Sequence, residues 1–106
     1  MLKVKVPQTI QVGGHIYSIW FNRELDDEEH YGVTHHRKLT IEINPTRPES
    51  QQVEALWHEW LHLVNNTYCN RRLDEEMLEG LSEGLCQVWQ QLGITLDWGD
   101  IKEIKA

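Results

Sequence analysis

Long apolar runs are missing from this chain. No stretch approaches the ~20 consecutive apolar residues that cross a bilayer, and Met1-Leu2-Lys3-Val4-Lys5 lacks the apolar segment of a signal peptide. Cysteine is scarce: Cys69 and Cys86 are the two present, with no Cys-x-x-Cys spacing. The expectation is two free thiols in a cytoplasmic protein rather than a disulfide framework. Cationic side chains are also few, with 10 Lys and Arg against 17 Asp and Glu and a net charge of -7. Phosphate neutralisation needs clustered Lys and Arg, and the nearest cluster is Arg71-Arg72. A nucleic-acid partner is therefore not expected, and neither is a membrane. Internal repeats, low-complexity segments and linkers are absent as well.

What remains is an ordinary globular composition, 40% hydrophobic and 25% charged in 106 residues. That length supports one domain, residues 1–106, around one core. The first half reads as strands. Leu2-Lys3-Val4-Lys5-Val6 alternates with period two, Thr9-Ile10-Gln11-Val12 resumes after Pro7, and Gly13-Gly14 turns the chain into His15–Phe21. An acidic loop, Glu24 to Glu29, precedes Tyr31–Thr34 and Lys38–Asn44, a further strand or pair of strands.

The second half reads as helices. Thr46-x-x-Glu49 resembles a capping box with Pro48 in the first turn. Val53, Leu56, Trp57, Trp60, Leu61 and Val64 then recur at i, i+3, i+4 spacing, and Asn65-Asn66 is the expected end. Asp74 is the expected N-cap of a second helix. Leu78, Leu81, Leu85, Val88, Trp89 and Leu92 form its core stripe, and Gly93 is its C-terminal stop. The tail from Ile94 is open between a short strand and a docked extension. The predicted fold class is α+β: a small, mainly antiparallel sheet of about three strands packed on the first helix, with the second helix beside it.

Within the first helix stands His58-Glu59-Trp60-Leu61-His62, an H-E-x-x-H segment. Residues four apart on a helix lie one above the other, with Cβ atoms about 5–6 Å apart, so both imidazoles can reach one Zn²⁺. Glu59 projects beside them, where a carboxylate can take a proton from a metal-bound water. The pattern supplies two ligands and a general base. A catalytic zinc takes three protein ligands and keeps one position open. No histidine follows His62, and the extended H-E-x-x-H-x-x-G-x-x-H pattern fails at Asn65 and Tyr68. The third ligand is therefore an upstream histidine or an acid, and the second helix offers Glu75, Glu76, Glu79 and Glu83. With the core stripe centred near Leu81 and Leu85, Glu76 points to solvent and Glu75 lies in the fraying first turn. Glu79 sits on the flank as the best ligand, with Glu83 one turn further along to support it.

These residues resemble the zincin metallopeptidases of the gluzincin branch, in which H-E-x-x-H is followed by E-x-x-S/A-[D/E/N]. Here the second element is Glu79-Gly80-Leu81-Ser82-Glu83. More loosely, residues 31–92 resemble small ImmA/IrrE-like and phage-encoded metallopeptidase-like proteins. The resemblance implies a minimal zincin-like fold, Zn²⁺ as cofactor, His58, His62 and Glu79 as its ligands, and Glu83 as the acid that orients a ligating imidazole. It also implies a zinc-dependent metallopeptidase with Glu59 as general base and an extended protein or peptide segment as substrate. The alternative is a catalytically silent regulatory or binding protein that keeps the fold and the metal. Either His35 or His36 can serve as a donor to a substrate oxyanion, or the pair marks a polar turn. Trp57, Trp60 and Trp89 are expected in the core.

Overall fold

The computed structural model describes residues 2–28 and 30–104; Met1, Glu29, Lys105 and Ala106 lie outside them. The expected α+β architecture is present. Strands Leu2–Lys5 (β1), Thr9–Val12 (β2) and His15–Phe21 (β3) are followed by a 3₁₀ segment, Arg23–Glu28, where the acidic loop was expected. Strands Gly32–His35 (β4) and Thr40–Ile43 (β5) lead into helices Glu49–Tyr68 (α1) and Glu75–Gln91 (α2), and Ile94–Asp97 (β6) and Lys102–Glu103 (β7) complete the chain.

The sheet differs from expectation in size and direction. It is mixed and five-stranded, in the order β2-β3-β5-β4 with β7 also on β3, while β1 and β6 form a separate parallel pair. Only the two hairpins are antiparallel, β2 with β3 and β4 with β5; β3 pairs parallel to both β5 and β7. The hairpins carry local turn signals, which sequence displays. The insertion of β5 between β3 and β4 is non-local and has no such mark. After β3 the chain crosses to the far edge, descends along β4 and returns up β5, which leaves β4 as an open edge strand.

β5 is the centre of the core. Ile41 and Ile43 are fully buried in one cluster with Val12, Tyr17 and Ile19 of the sheet and Ala55 and Leu63 of α1. Each such aliphatic side chain contributes about 1.5–3 kcal/mol by leaving water. On the far side of α1, Trp57 stacks on Trp60 at 5.2 Å and meets Trp89 of α2 edge-on at 5.3 Å, so the three indoles join the helices as expected.

The helix ends correct two readings. Thr46 does not cap α1: its hydroxyl donates to Asn44 Oδ1 at 2.7 Å, and Pro48 occupies the N-cap with no side-chain bond. α1 also runs through Asn65-Asn66 to Tyr68, because the buried Asn65 spends its side chain elsewhere. Its Nδ2 donates to Leu73 O (2.9 Å) and its Oδ1 accepts from Leu73 N (3.0 Å). Asp74 caps α2 as expected, accepting from Met77 N at 2.9 Å.

The roll of α2 is the largest correction. Its buried residues are Leu78, Ser82 and Cys86, while Leu81, Val88 and Leu92 are exposed. The inward face is therefore turned by roughly 80°, at 100° per residue, from the one that large aliphatics alone would choose. Ser82 can be wholly buried because its hydroxyl donates to Leu78 O and Glu79 O, both at 3.0 Å. Small side chains at 82 and 86 line the inward face where α2 packs against α1. The same roll swings the flank bearing Glu75, Glu79 and Glu83 toward the histidines.

Candidate metal centre

Ala55, Glu59 and Leu63 form the buried line that α1 lays on the sheet. His58 and His62 each precede one of these residues, so they project about 100° away, onto the flank that faces α2. Their side chains are 18% and 32% exposed, partly sheltered yet reachable from solvent. The two Nε2 atoms lie 3.1 Å apart, with the rings edge to face at 74°. Two nitrogens bound tetrahedrally at 2.0–2.1 Å would sit about 3.3 Å from one another. The pair is thus spaced as two ligands of one ion.

The chemistry of the donor set points the same way. Glu75, the first residue of α2, brings Oε1 to 2.7 Å from His58 Nε2 and Oε2 to 3.3 Å from His62 Nε2. Neutral imidazoles carrying their proton on Nδ1 would present two lone pairs and a carboxylate to one another. Such a convergence of acceptors repels unless a proton or a metal ion sits among them. The residues present fit a divalent cation.

Glu59 lies on the sheet side of the pair. One of its carboxylate oxygens and one ring nitrogen each of His58 and His62 fall within 4.8 Å of one another. The residue is 8% exposed, and Thr34 Oγ1 on β4 donates to its Oε1 at 2.9 Å. Gly32 makes this approach feasible. A Cβ there would stand 3.2 Å from Glu59 Cγ and from Glu42 O, and 3.3 Å from Ala55 Cβ. Edge strand β4 thus presses directly onto the helix turn that bears the general-base candidate.

Beside the imidazoles opens a cleft of about 360 Å³, lined among others by Tyr31, Gly32, His58, Glu59, Glu79 and Glu83. Glu79 and Glu83 are therefore brought to the site as exposed walls of the cleft. The carboxylate in contact with both imidazoles is that of Glu75, which sequence reasoning set aside as part of a fraying turn. The available signal was its place directly after the Asp74 cap, one turn before Glu79. His30 also lines the cleft, and Tyr31 beside it carries the Arg47 guanidinium 4.7 Å above its ring.

His35 and His36 are not brought to the cleft. Along β4, Gly32 and Thr34 face α1, so His35 points to the opposite face of the sheet. There its Nε2 lies 3.2 Å from Glu42 Oε2, and Asn22 Nδ2 donates to Glu42 Oε1 at 2.8 Å. His36 is exposed in the β4–β5 turn. Cys69 and Cys86 are both free. Burial, then the charges of Glu54 and Glu83, push the Cys86 thiol up to about 11.

No family model, curated protein or solved structure matches the chain.

Proposed function

We propose that the chain is a zinc-dependent metallopeptidase, its ion held by His58, His62 and a carboxylate from α2, its general base Glu59. The observation that carries this reading is the 3.1 Å approach of the two Nε2 atoms with the buried Glu59 carboxylate beside them. The resemblance names Glu79 as the α2 carboxylate and Glu83 as the acid that steadies an imidazole; both line the cleft.

A bound zinc would act as a Lewis acid on a substrate carbonyl and would lower the pKa of water toward ~7. The side chains account for the rest. Glu59 accepts the proton of the attacking water and returns it to the leaving amine. Thr34 holds one Glu59 oxygen by its hydroxyl hydrogen bond, which leaves the second oxygen for the proton. His30 and Tyr31, in the cleft wall, are the donors available to a substrate oxyanion. Among the described residues β4 has no strand beyond it, and an extended peptide segment suits such an edge, because unpaired backbone groups there accept strand addition. The cleft's small size suits a substrate bound through a few residues. A cytoplasmic location and the absence of a nucleic-acid partner belong to this reading on the grounds of composition alone. Among the described residues no helix is long and apolar enough to cross a membrane.

Glu59→Gln tests the reading. The variant should retain stoichiometric zinc while hydrolysis of an unfolded protein substrate such as casein falls at least about 100-fold, the range expected when a positioned acid–base is lost. Equal hydrolysis by both proteins would remove Glu59 from the role of general base, and retained zinc with no hydrolysis by the wild type would instead favour the silent binding module.

A further inference from the structure

We infer that Glu75, at the first position of α2, is a direct ligand of the metal. The inference rests on the metal-binding part of the function proposed above and is independent of whether hydrolysis follows.

Three observations carry it. First, Glu75 is the α2 acid that touches both imidazoles. Its two oxygens reach the nitrogens at 2.7 and 3.3 Å, the longer matching the roughly 3.3 Å edge of a tetrahedron built on bonds of 2.0–2.1 Å and the shorter a hydrogen-bond length. Glu79, one turn on and exposed like Glu75, lines the wall of the neighbouring cleft. Second, the roll of α2 puts Glu75 nearest the helix seam. Counting 100° per residue, Glu75, Glu79 and Glu83 step about 40° apart away from the buried face, so Glu75 is the acid directed most closely at α1.

Third, the first turn of α2 is held in place. The chain leaves α1 through Asn70 and Arg71, both in the left-handed region with φ of 53° and 59°. Asn65 then grips Leu73 through both its backbone N–H and its carbonyl, at 3.0 and 2.9 Å. Asn65 follows His62 by three residues on the same helix, so this clamp ties the start of α2 to the turn that bears the ligands. Asp74 caps the helix through Met77 N. Asn65 is accordingly a positioning residue, acting on the metal through Glu75.

Zinc affinity, measured by competition with a chromophoric chelator, tests this on the full chain, with far-ultraviolet circular dichroism to verify folding. Cobalt(II) absorption reports the coordination geometry in parallel. Glu75→Gln should weaken zinc at least about 100-fold and remove the tetrahedral cobalt band, whereas Glu79→Gln should stay within about threefold of wild type. Asn65→Ala should weaken zinc about tenfold, the size of effect typical of groups that orient ligands. It should add nothing in the Glu75→Gln background, since a positioning residue acts only through what it positions. A folded Glu75→Gln protein that keeps wild-type affinity, with the loss falling on Glu79→Gln, would overturn the inference and leave the metallopeptidase reading standing. A wild type that binds no zinc would overturn both.

Discussion

Two histidine–carboxylate clusters occupy opposite faces of the sheet, and their hydrogen-bond arithmetic differs. On the outer face Glu42 is 5% exposed, with one oxygen facing His35 Nε2 and the other accepting from Asn22. Each acceptor there has a donor, so the cluster closes on itself as a structural staple. On the helix face, His58, His62 and Glu75 direct three acceptor-capable groups at one point, and Glu59 adds a second carboxyl close by. There the two Nε2 atoms also lie 3.1 Å from each other, close to the spacing of two ligands on one ion. The contrast shows why a histidine near an acid carries little information alone, whereas two imidazoles and a carboxylate converging carry a great deal.

Zinc should separate the clusters most sharply. A ligand that binds only the folded state stabilises it by about 4 kcal/mol at a free concentration 1,000-fold above Kd, which for a chain of this size raises Tm by on the order of 15 °C. Differential scanning calorimetry with and without zinc should show this rise in wild type, and EDTA should reverse it. His58→Ala and His62→Ala should abolish it, and His35→Ala should keep it whole. A zinc-dependent rise that vanished in His35→Ala would erase the distinction.

The staple makes the complementary prediction. Glu42→Ala leaves the Asn22 amide and the His35 ring without their partner, a loss of about 1–3 kcal/mol for a buried polar group. Urea unfolding should show that loss while zinc affinity stays at the wild-type value. A fall in zinc affinity with no loss of stability would contradict the assignment.

How much of this was legible in sequence depends on whether the signal was local. His58, Glu59 and His62 lie within one helical turn of each other, and their convergence follows from helix geometry alone. Asp74 announced itself as a cap, and Gly13-Gly14 as a hairpin. The roll of α2 did not announce itself, because it is set by what packs against the helix. Ser82 and Cys86 bury while Leu81, Val88 and Leu92 stay out, and large-aliphatic counting aims the stripe at the wrong angle. Glu75 was set aside for a different reason, its place in the first turn, which the Asp74 cap and the Asn65 bonds to Leu73 hold in position. The alternation of β4 governs His35: sequence placed it near the metal helix, and a one-residue change of parity put its ring through the sheet. The insertion of β5 between β3 and β4, together with the β1–β6 pairing, joins residues far apart in the chain and was not readable at all.

A smaller effect concerns the seam beneath the carboxylates. The Cys86 thiol, ordinarily 9.0, is pushed up to about 11 in the folded protein. As pH rises through 9 the unfolded chain loses this proton first, so the folded state holds more protons and stability should decline between about pH 9 and 11. Cys86→Ser should flatten that part of the stability–pH curve. Thiol titration of the native protein at pH 8 should modify Cys69 well before Cys86, and equal rates would show that Cys86 is not shielded as described.

The central claim is that two imidazoles of one helix share an ion and leave Glu59 free to act beside it. Anomalous diffraction at the zinc edge, from crystals grown with the metal, tests this directly. One peak per chain should lie about 2.0–2.1 Å from Nε2 of both His58 and His62, the ordinary bond length for zinc on imidazole, with the Glu59 carboxylate hydrogen-bonded to Thr34 and not ligating. A peak elsewhere, or zinc in solution with none between these rings, would contradict the account.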